Sequence, residues 1–285
     1  MTLVHELNEV LDIPEEDNGK IEVAEDENDE SEPATTIGKY SNARHHQDGL
    51  FSFVYKARST DSKQEKLVAL KVTTPSLMIK PHDSEREARI LSTCAHANII
   101  PILETFWQPG GRFVLVFPFM HHEFGDLLDE GRLTPQQIQS HLHDLFAALA
   151  HLHDAGIIHR DVKPSNILLR SPSGPAYLAD FGIAWSPNDK ASEKADDKIT
   201  DVGTTCYRPP ELLFGNVSYG CSLDLWAAGC VVAEALSSPH RNLFSAGDVG
   251  SELALIQSIF KTLGTPDLES WPVSAISGYC LGMWY

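Results

Sequence analysis

The pattern of apolar and polar positions changes character once along the chain, near Met120. Before that point short β-rich runs dominate. FSFVYKA, from Phe51 to Ala57, and KLVALKV, from Lys66 to Val72, read as two strands around a polar turn at 59–65, because β-branched and aromatic runs bounded by turn residues mark strands. Asp83 to Ser92 reads as a helix with Ala88 and Leu91 on one side and charges on the other. Asn98 to Phe106 and Arg112 to Phe119 return to strand, divided by Pro109-Gly110-Gly111. After Met120 the period becomes helical. Thr134 is a good N-cap with Pro135 at the first helical position. Ile138, Leu142, Leu145, Leu149 and Leu152 form an apolar stripe that Gly156 ends. Leu223 to Leu236 and Glu252 to Leu263 predict two more helices. The expectation is an α+β fold of two lobes, sheet-rich at 37–119 and helical at 120–285, with a cleft for a nucleotide between them.

Charge adds a third region. Of the formal −18, residues 1–36 carry −12, with thirteen acidic residues against the single base Lys20. A stretch this acidic and this poor in large apolar residues cannot offset its ordering entropy, so 1–36 is expected to be a disordered tail, with a short helix at most over Leu3 to Leu11. The acidic balance argues against general nucleic-acid binding, which needs clustered Lys and Arg. The five cysteines are odd in number and lack paired spacing, and neither a secretory leader nor a bilayer-spanning apolar run is visible. Free thiols in the cytoplasm or nucleus, and no membrane contact, are therefore expected. Thirteen histidines raise the question of a metal, but His151 and His153, like His141 and His143, sit two apart on a helix and face apart.

The decisive chemistry lies in IHRDVKPSNILL, Ile158 to Leu169, followed eleven residues later by Asp180-Phe181-Gly182. With Lys71 in VALKV and Glu87 sixteen residues beyond it, these motifs resemble the eukaryotic protein kinases. Arg208 in Tyr207-Arg208-Pro209-Pro210-Glu211, the run LDLWAAGC, and IFKTLGTP before Trp271-Pro272 are similar to the cyclin-dependent-kinase-like (CMGC) group. The likeness covers about Ile37 to Pro272. It implies an ATP-dependent serine/threonine kinase of bilobal fold, acting in cell-cycle or transcription control on protein substrates that include cyclin-dependent kinases. By that resemblance Asp161 accepts the substrate's hydroxyl proton, and Lys163 offsets charge on the moving phosphoryl group. Lys71, paired with Glu87, contacts the α- and β-phosphates, and Asn166 and Asp180 hold Mg²⁺. Val54, Ala69 and Leu168 enclose the adenine, while Pro118 and Met120 offer backbone groups and Gly49 lets the backbone approach the phosphates. Glu123 or Asp126 is the candidate for the ribose. His159, Phe181, Leu91 and Ile102 resemble the apolar spine that aligns the lobes.

Several positions depart from the family pattern. Of the three glycines expected in the phosphate turn, Gln47 and Ser52 replace two and only Gly49 remains. Leu50 and Phe51 stand where relatives carry phosphorylatable residues. HDSEREARIL is unlike a cyclin-docking helix, so dependence on a cyclin is doubtful. Arg86 and Arg160 match residues that grip an activating phosphate, yet Trp185 replaces a third base and Ile199 the usual phosphoacceptor. Glu193, Asp196 and Asp197 lie nearby as alternative anions, and Thr200 as an alternative acceptor. Gly203 can adopt positive φ without strain, which weakens the expectation of a strict requirement for proline after the target Ser or Thr. These features resemble the fungal single-subunit kinases that activate cyclin-dependent kinases. SGYCLGMWY at the end matches nothing in the family, so the second lobe is expected to be incomplete and Glu211 to lack its arginine partner. The competing expectation is a catalytically inactive, truncated kinase-like binding protein.

Overall fold

A computed structural model describes residues 34–59 and 66–267. Six antiparallel strands form the first lobe: β1 Thr35–Ile37, β2 Tyr40–Gly49, β3 Ser52–Ser59, β4 Lys66–Thr73, β5 Glu104–Gln108 and β6 Arg112–Pro118. Their spatial order is β1-β2-β3-β4-β6-β5. β4 is central and apolar at alternate positions, with Val68, Leu70 and Val72 buried against Val114 and Val116 of β6. That alternation turns Ala69 and Lys71 to the other face, towards the cleft. Helix α1, Ser84–Thr93, packs beside the sheet, with Asp83 as its N-cap accepting a hydrogen bond from the Arg86 amide at 2.8 Å. Residues 1–33 and 268–285, including the acidic segment and the closing SGYCLGMWY, lie outside the described residues, and Thr35 and Thr36 belong to β1.

The second lobe is helical, with α2 Phe124–Asp129, α3 Pro135–Asp154, α4 Pro210–Leu213, α5 Ser222–Leu236 and α6 Glu252–Leu263. A small sheet of β7 His122–Glu123, β8 Ile167–Leu169 and β9 Ala176–Leu178 lies at its upper edge. The long helix α3 starts as its sequence dictates. Thr134 and Gln137 exchange hydrogen bonds in a capping box, Pro135 follows, and Gly156 turns the chain at φ 71°. Its apolar stripe joins Leu115, Leu91, Phe181 and Val231 in one core that runs through both lobes. The lobes are thus braced against each other.

Two expectations needed correction. The strand expected from Asn98 starts only at Glu104. Ile100 donates to the Leu178 carbonyl at 2.9 Å and Leu178 to the Asn98 carbonyl at 2.8 Å, so these backbone groups serve β9 and not the main sheet. Pro101 has no N–H to offer. Helix α1 also differs, since Arg86 and Glu87 are among its buried residues, only 2% and 1% exposed. Charges on the helix do not all face water.

Candidate active site

Lys71 projects from the centre of β4, opposite Val54 on β3 and Leu115 on β6. Its Nζ lies 2.8 and 2.7 Å from the two carboxylate oxygens of Glu87 and 2.8 Å from Asp180 Oδ1. Burial alone would lower the Lys71 pKa, but the charges of Asp180 and Glu87 outweigh it and push it upward. Asp180 is driven well below the carboxylate range, chiefly by the Lys71 charge. Gly182 closes this cluster, because a Cβ there would come within 3.3 Å of Asp180 Oδ1 and 3.5 Å of Glu87 Oε2. The Gly182 carbonyl also accepts from the Asp83 amide at 2.9 Å, tying the loop to the start of α1.

The loop after α3 is held from below by Asp224 on α5, which is fully buried. Its two oxygens accept the His159 and Arg160 amides at 2.9 Å each, and His153 from α3 at 2.9 Å. Leaving those two amides and the imidazole unpaired would cost several kcal/mol, about 3–5 for a broken buried charged network. Arg160 and Asp180 both hold left-handed backbone, φ 71° and 62°, a conformation that costs about 1–3 kcal/mol in a non-glycine residue. The ring of His159 meets Phe181 edge-on at 4.7 Å, and Leu91 and Ile102 join the same core.

Asp161 sits at the mouth of this loop. Its Oδ2 accepts from Asn166 Nδ2 at 3.0 Å and pairs with Lys163 Nζ at 2.9 Å. Its Oδ1 accepts from the Thr204 amide at 3.0 Å and the Thr204 hydroxyl at 2.8 Å, and Lys163 donates to that hydroxyl at 3.0 Å. Asn166 also donates to the Asp161 carbonyl at 2.7 Å. Both donor contacts use the amide nitrogen, so the Asn166 oxygen is an available acceptor among the described residues. Asp180 likewise engages Lys71 with one oxygen, and its side chain is 49% exposed to the cleft. Among the described residues no group of three or more His, Cys, Asp or Glu gathers as a metal cage. Two oxygen donors without a cage suit Mg²⁺, which keeps waters and takes the rest of its octahedron from phosphates.

Val54, Ala69 and Leu168 are each partly exposed, and the latter two pack against the common core. Pro118 ends β6 opposite Val68, and Met120 follows, 9% exposed. Gly49 ends β2 directly opposite Ser52, with the hydroxyl of Ser52 where a Cβ would fall, at 2.5 Å. Burial raises the pKa of the Glu123 carboxylate, and Gln47 partly offsets that rise. Phe51 rests on His82 at 4.8 Å between centroids. The Phe51–His82 contact was not visible in the sequence. Only the histidine before α1 hinted at it.

The activation segment, 183–211, is closely tied to the loop beneath. Arg160, itself buried, donates to the Ile183 carbonyl at 2.5 Å, the Tyr219 hydroxyl at 3.0 Å and Glu193 at 3.1 Å. Gly203 adopts the positive φ its sequence allows, and it is held there. Its φ is 78°, a Cβ would lie 2.8 Å from the Arg160 carbonyl, and its own carbonyl accepts from Arg208 Nε at 2.9 Å. Arg208 continues to Asp201 at 2.6 Å and Glu252 at 2.8 Å. The Glu211 carboxyl forms no ion pair among the described residues, and burial raises its pKa.

These pieces are a nucleotide cleft, a metal-competent pair of oxygens and a carboxylate at a substrate entrance. Comparison with known proteins agrees. Residues 40–280 match the protein kinase domain. The chain belongs to the protein kinase family. It is 38% identical over 238 residues to the serine/threonine-protein kinase csk1 of Schizosaccharomyces pombe, covering 80% of this chain and 74% of that one. Cyclin-dependent kinase 7 of Xenopus laevis is 37% identical over 81% of this chain and 64% of its own length. Among solved structures, the yeast RNA Pol II CTD kinase CTDK-1 complex superposes with a TM-score of 0.71 at 31% identity, covering 86% of this chain and 75% of that one. Within the family the chain is a serine/threonine kinase of the cyclin-dependent-kinase-like group, with the sheet-and-helix bilobal fold, ATP as phosphoryl donor and proteins as substrates.

Proposed function

We propose that this kinase transfers the γ-phosphoryl group of ATP, with Mg²⁺, to Ser or Thr of proteins that control the cell cycle or transcription, cyclin-dependent kinases among them. The observation that carries the reading is the continuous polar path from Glu87 through Lys71 to Asp180, all within 2.8 Å, beside Asp161 and Asn166, 3.0 Å apart. Lys71 is positioned for the α- and β-phosphates, with Glu87 fixing its direction. Asp161 takes up the hydroxyl proton, and Lys163 offsets charge on the moving phosphoryl group. Asn166 and Asp180 would hold Mg²⁺, which neutralises charge on the phosphates. Val54, Ala69 and Leu168 supply apolar surface for the adenine. The Pro118 carbonyl and the Met120 backbone meet its polar edge, and Gly49 lies over the phosphates.

The engaged Gly203 carbonyl supports a substrate preference. A residue docking against it finds no acceptor for its own amide, and proline has no amide to satisfy. Ser-Pro and Thr-Pro sites are therefore the class we favour. Activity without a cyclin is supported by the polar face of α1. A cytoplasmic or nuclear setting is supported by Cys94, Cys206, Cys221 and Cys230, which are unpaired.

The test is thermal denaturation of the purified chain with ATP and Mg²⁺, followed by transfer to Ser-Pro and Ser-Ala peptides. Specific binding raises the midpoint by mass action. No shift with Mg²⁺-ATP would refute the nucleotide site, and equal rates on the two peptides would refute the proline preference. Activity only after cyclin addition would remove the single-subunit reading.

A further inference from the structure

We propose that Glu193 is a built-in substitute for an activation-loop phosphate, a positioning residue that holds the catalytic loop and α1 together without any modification. Its carboxylate is 9% exposed and faces two almost fully buried guanidinium groups. Arg160 contacts it at 3.1 and 3.4 Å, and Arg86 at 3.9 Å. Each arginine stands immediately before a residue of the active site, Arg86 before Glu87 and Arg160 before Asp161. One acid in the activation segment thus fixes the neighbours of both the lysine's partner and the candidate base.

The surroundings fit a single carboxylate and not a doubly charged phosphate. The third basic position is Trp185, whose indole N–H donates to the Glu193 carbonyl at 2.9 Å and locks the acid's backbone. Lys198 lies over the Trp185 ring at 4.7 Å, but its ammonium donates to the Tyr219 carbonyl at 2.8 Å and to the Ala195 carbonyl. Two arginines therefore face one acid directly. Ile199, where a phosphoacceptor would stand, packs against the cluster of Ile158, Ile183, Trp185, Val202 and Tyr219. No hydrogen bond or ion pair joins Thr200 to Arg86 or Arg160 among the described residues. Of the three nearby acids, Asp196 and Asp197 are exposed. A second link, Arg89 to Asp189 at 2.6 Å, runs from the same face of α1 to the same segment.

The inference rests on the kinase reading of the site and is independent of which protein is the substrate. The full chain would be freed of phosphate by phosphatase, checked by mass, and assayed for Ser-Pro peptide transfer and for amide exchange over 183–204. Wild type should keep its kcat within about twofold after dephosphorylation. Glu193→Gln should lower kcat about tenfold or more while KM for ATP moves less than about threefold, and Glu193→Asp should recover much of the loss. Exchange over 183–204 should quicken in Glu193→Gln while the melting midpoint falls by no more than about 4 °C. The proposal is overturned if Glu193→Gln leaves kcat and exchange unchanged, if Glu193→Asp fares no better than Gln, or if dephosphorylated wild type is inactive while the phosphorylated form works. Should the peptide prove a poor substrate in every state, exchange alone decides: unchanged protection in Glu193→Gln overturns the clamp, and lost protection upholds it while the substrate reading fails separately.

Discussion

The two loops that close on the nucleotide site are built in opposite ways. The catalytic loop, 158–166, is buried and cross-linked, with Asp224 beneath it and Asn166, Lys163 and Thr204 around Asp161. The phosphate turn between β2 and β3 has Leu50 80% and Phe53 54% exposed. Beyond its hairpin, the turn rests on its own lobe through the Phe51–His82 ring contact at 4.8 Å. A group that moves a proton must sit within a few tenths of an ångström of its target. A cover over phosphates works through many backbone groups and tolerates play. Geometry is therefore concentrated where the tolerance is smallest, and a degraded glycine turn is compatible with an intact site.

The sharpest attempt to break this contrast is Asp161→Asn. It should remove about 10²–10⁴-fold of kcat, the usual worth of a positioned acid or base, while the affinity for Mg²⁺-ATP stays near wild type. Asp180→Asn should weaken Mg²⁺-dependent nucleotide binding as well. Equal losses of nucleotide affinity in the two variants, measured by calorimetry, would contradict the division of roles. Next in size is Asp224→Ala, which strands two buried amides and His153 and should cost about 3 kcal/mol of stability. Chemical denaturation reads this directly, and a loss under about 1 kcal/mol would mean the loop is not held from below. Thr134→Ala, at a capping box far from the cleft, should cost about 1 kcal/mol and leave kcat unchanged. Smallest is Ser52→Gly in the phosphate turn, expected to move KM for ATP by no more than about threefold, under 1 kcal/mol. A tenfold change there would show that the turn is as tightly tuned as the catalytic loop.

Much of the architecture could be read from periodicity. Helices α3, α5 and α6 and strands β3, β4 and β6 are long, regular and punctuated by Pro, Gly or a capping threonine. Short elements without such signals, α2 and the sheet β7-β8-β9, escaped, as did the true start of β5, since two to six residues carry too little pattern. In the site, motif spacing pointed to Lys71, Glu87, Asp161, Asn166 and Asp180, and the structure brings them within one cleft. Glu193 could not be singled out from Asp196 and Asp197, because only the path of the chain decides which acid turns inward. The burial of Arg86, Arg160 and Asp224 runs against the hydrophobic pattern altogether. Polar residues in a core become legible only with their partners in view.

The left-handed backbone at Arg160 and Asp180 sets fold and chemistry against each other. Glycine would adopt both conformations without a steric penalty, so replacing either arginine or aspartate with glycine relieves backbone strain while abolishing a site contact. At Asp180 the change also removes the oxygen that pairs with Lys71 at 2.8 Å. At Asp180, φ 62°, the backbone would accept glycine and the proposed metal site would not.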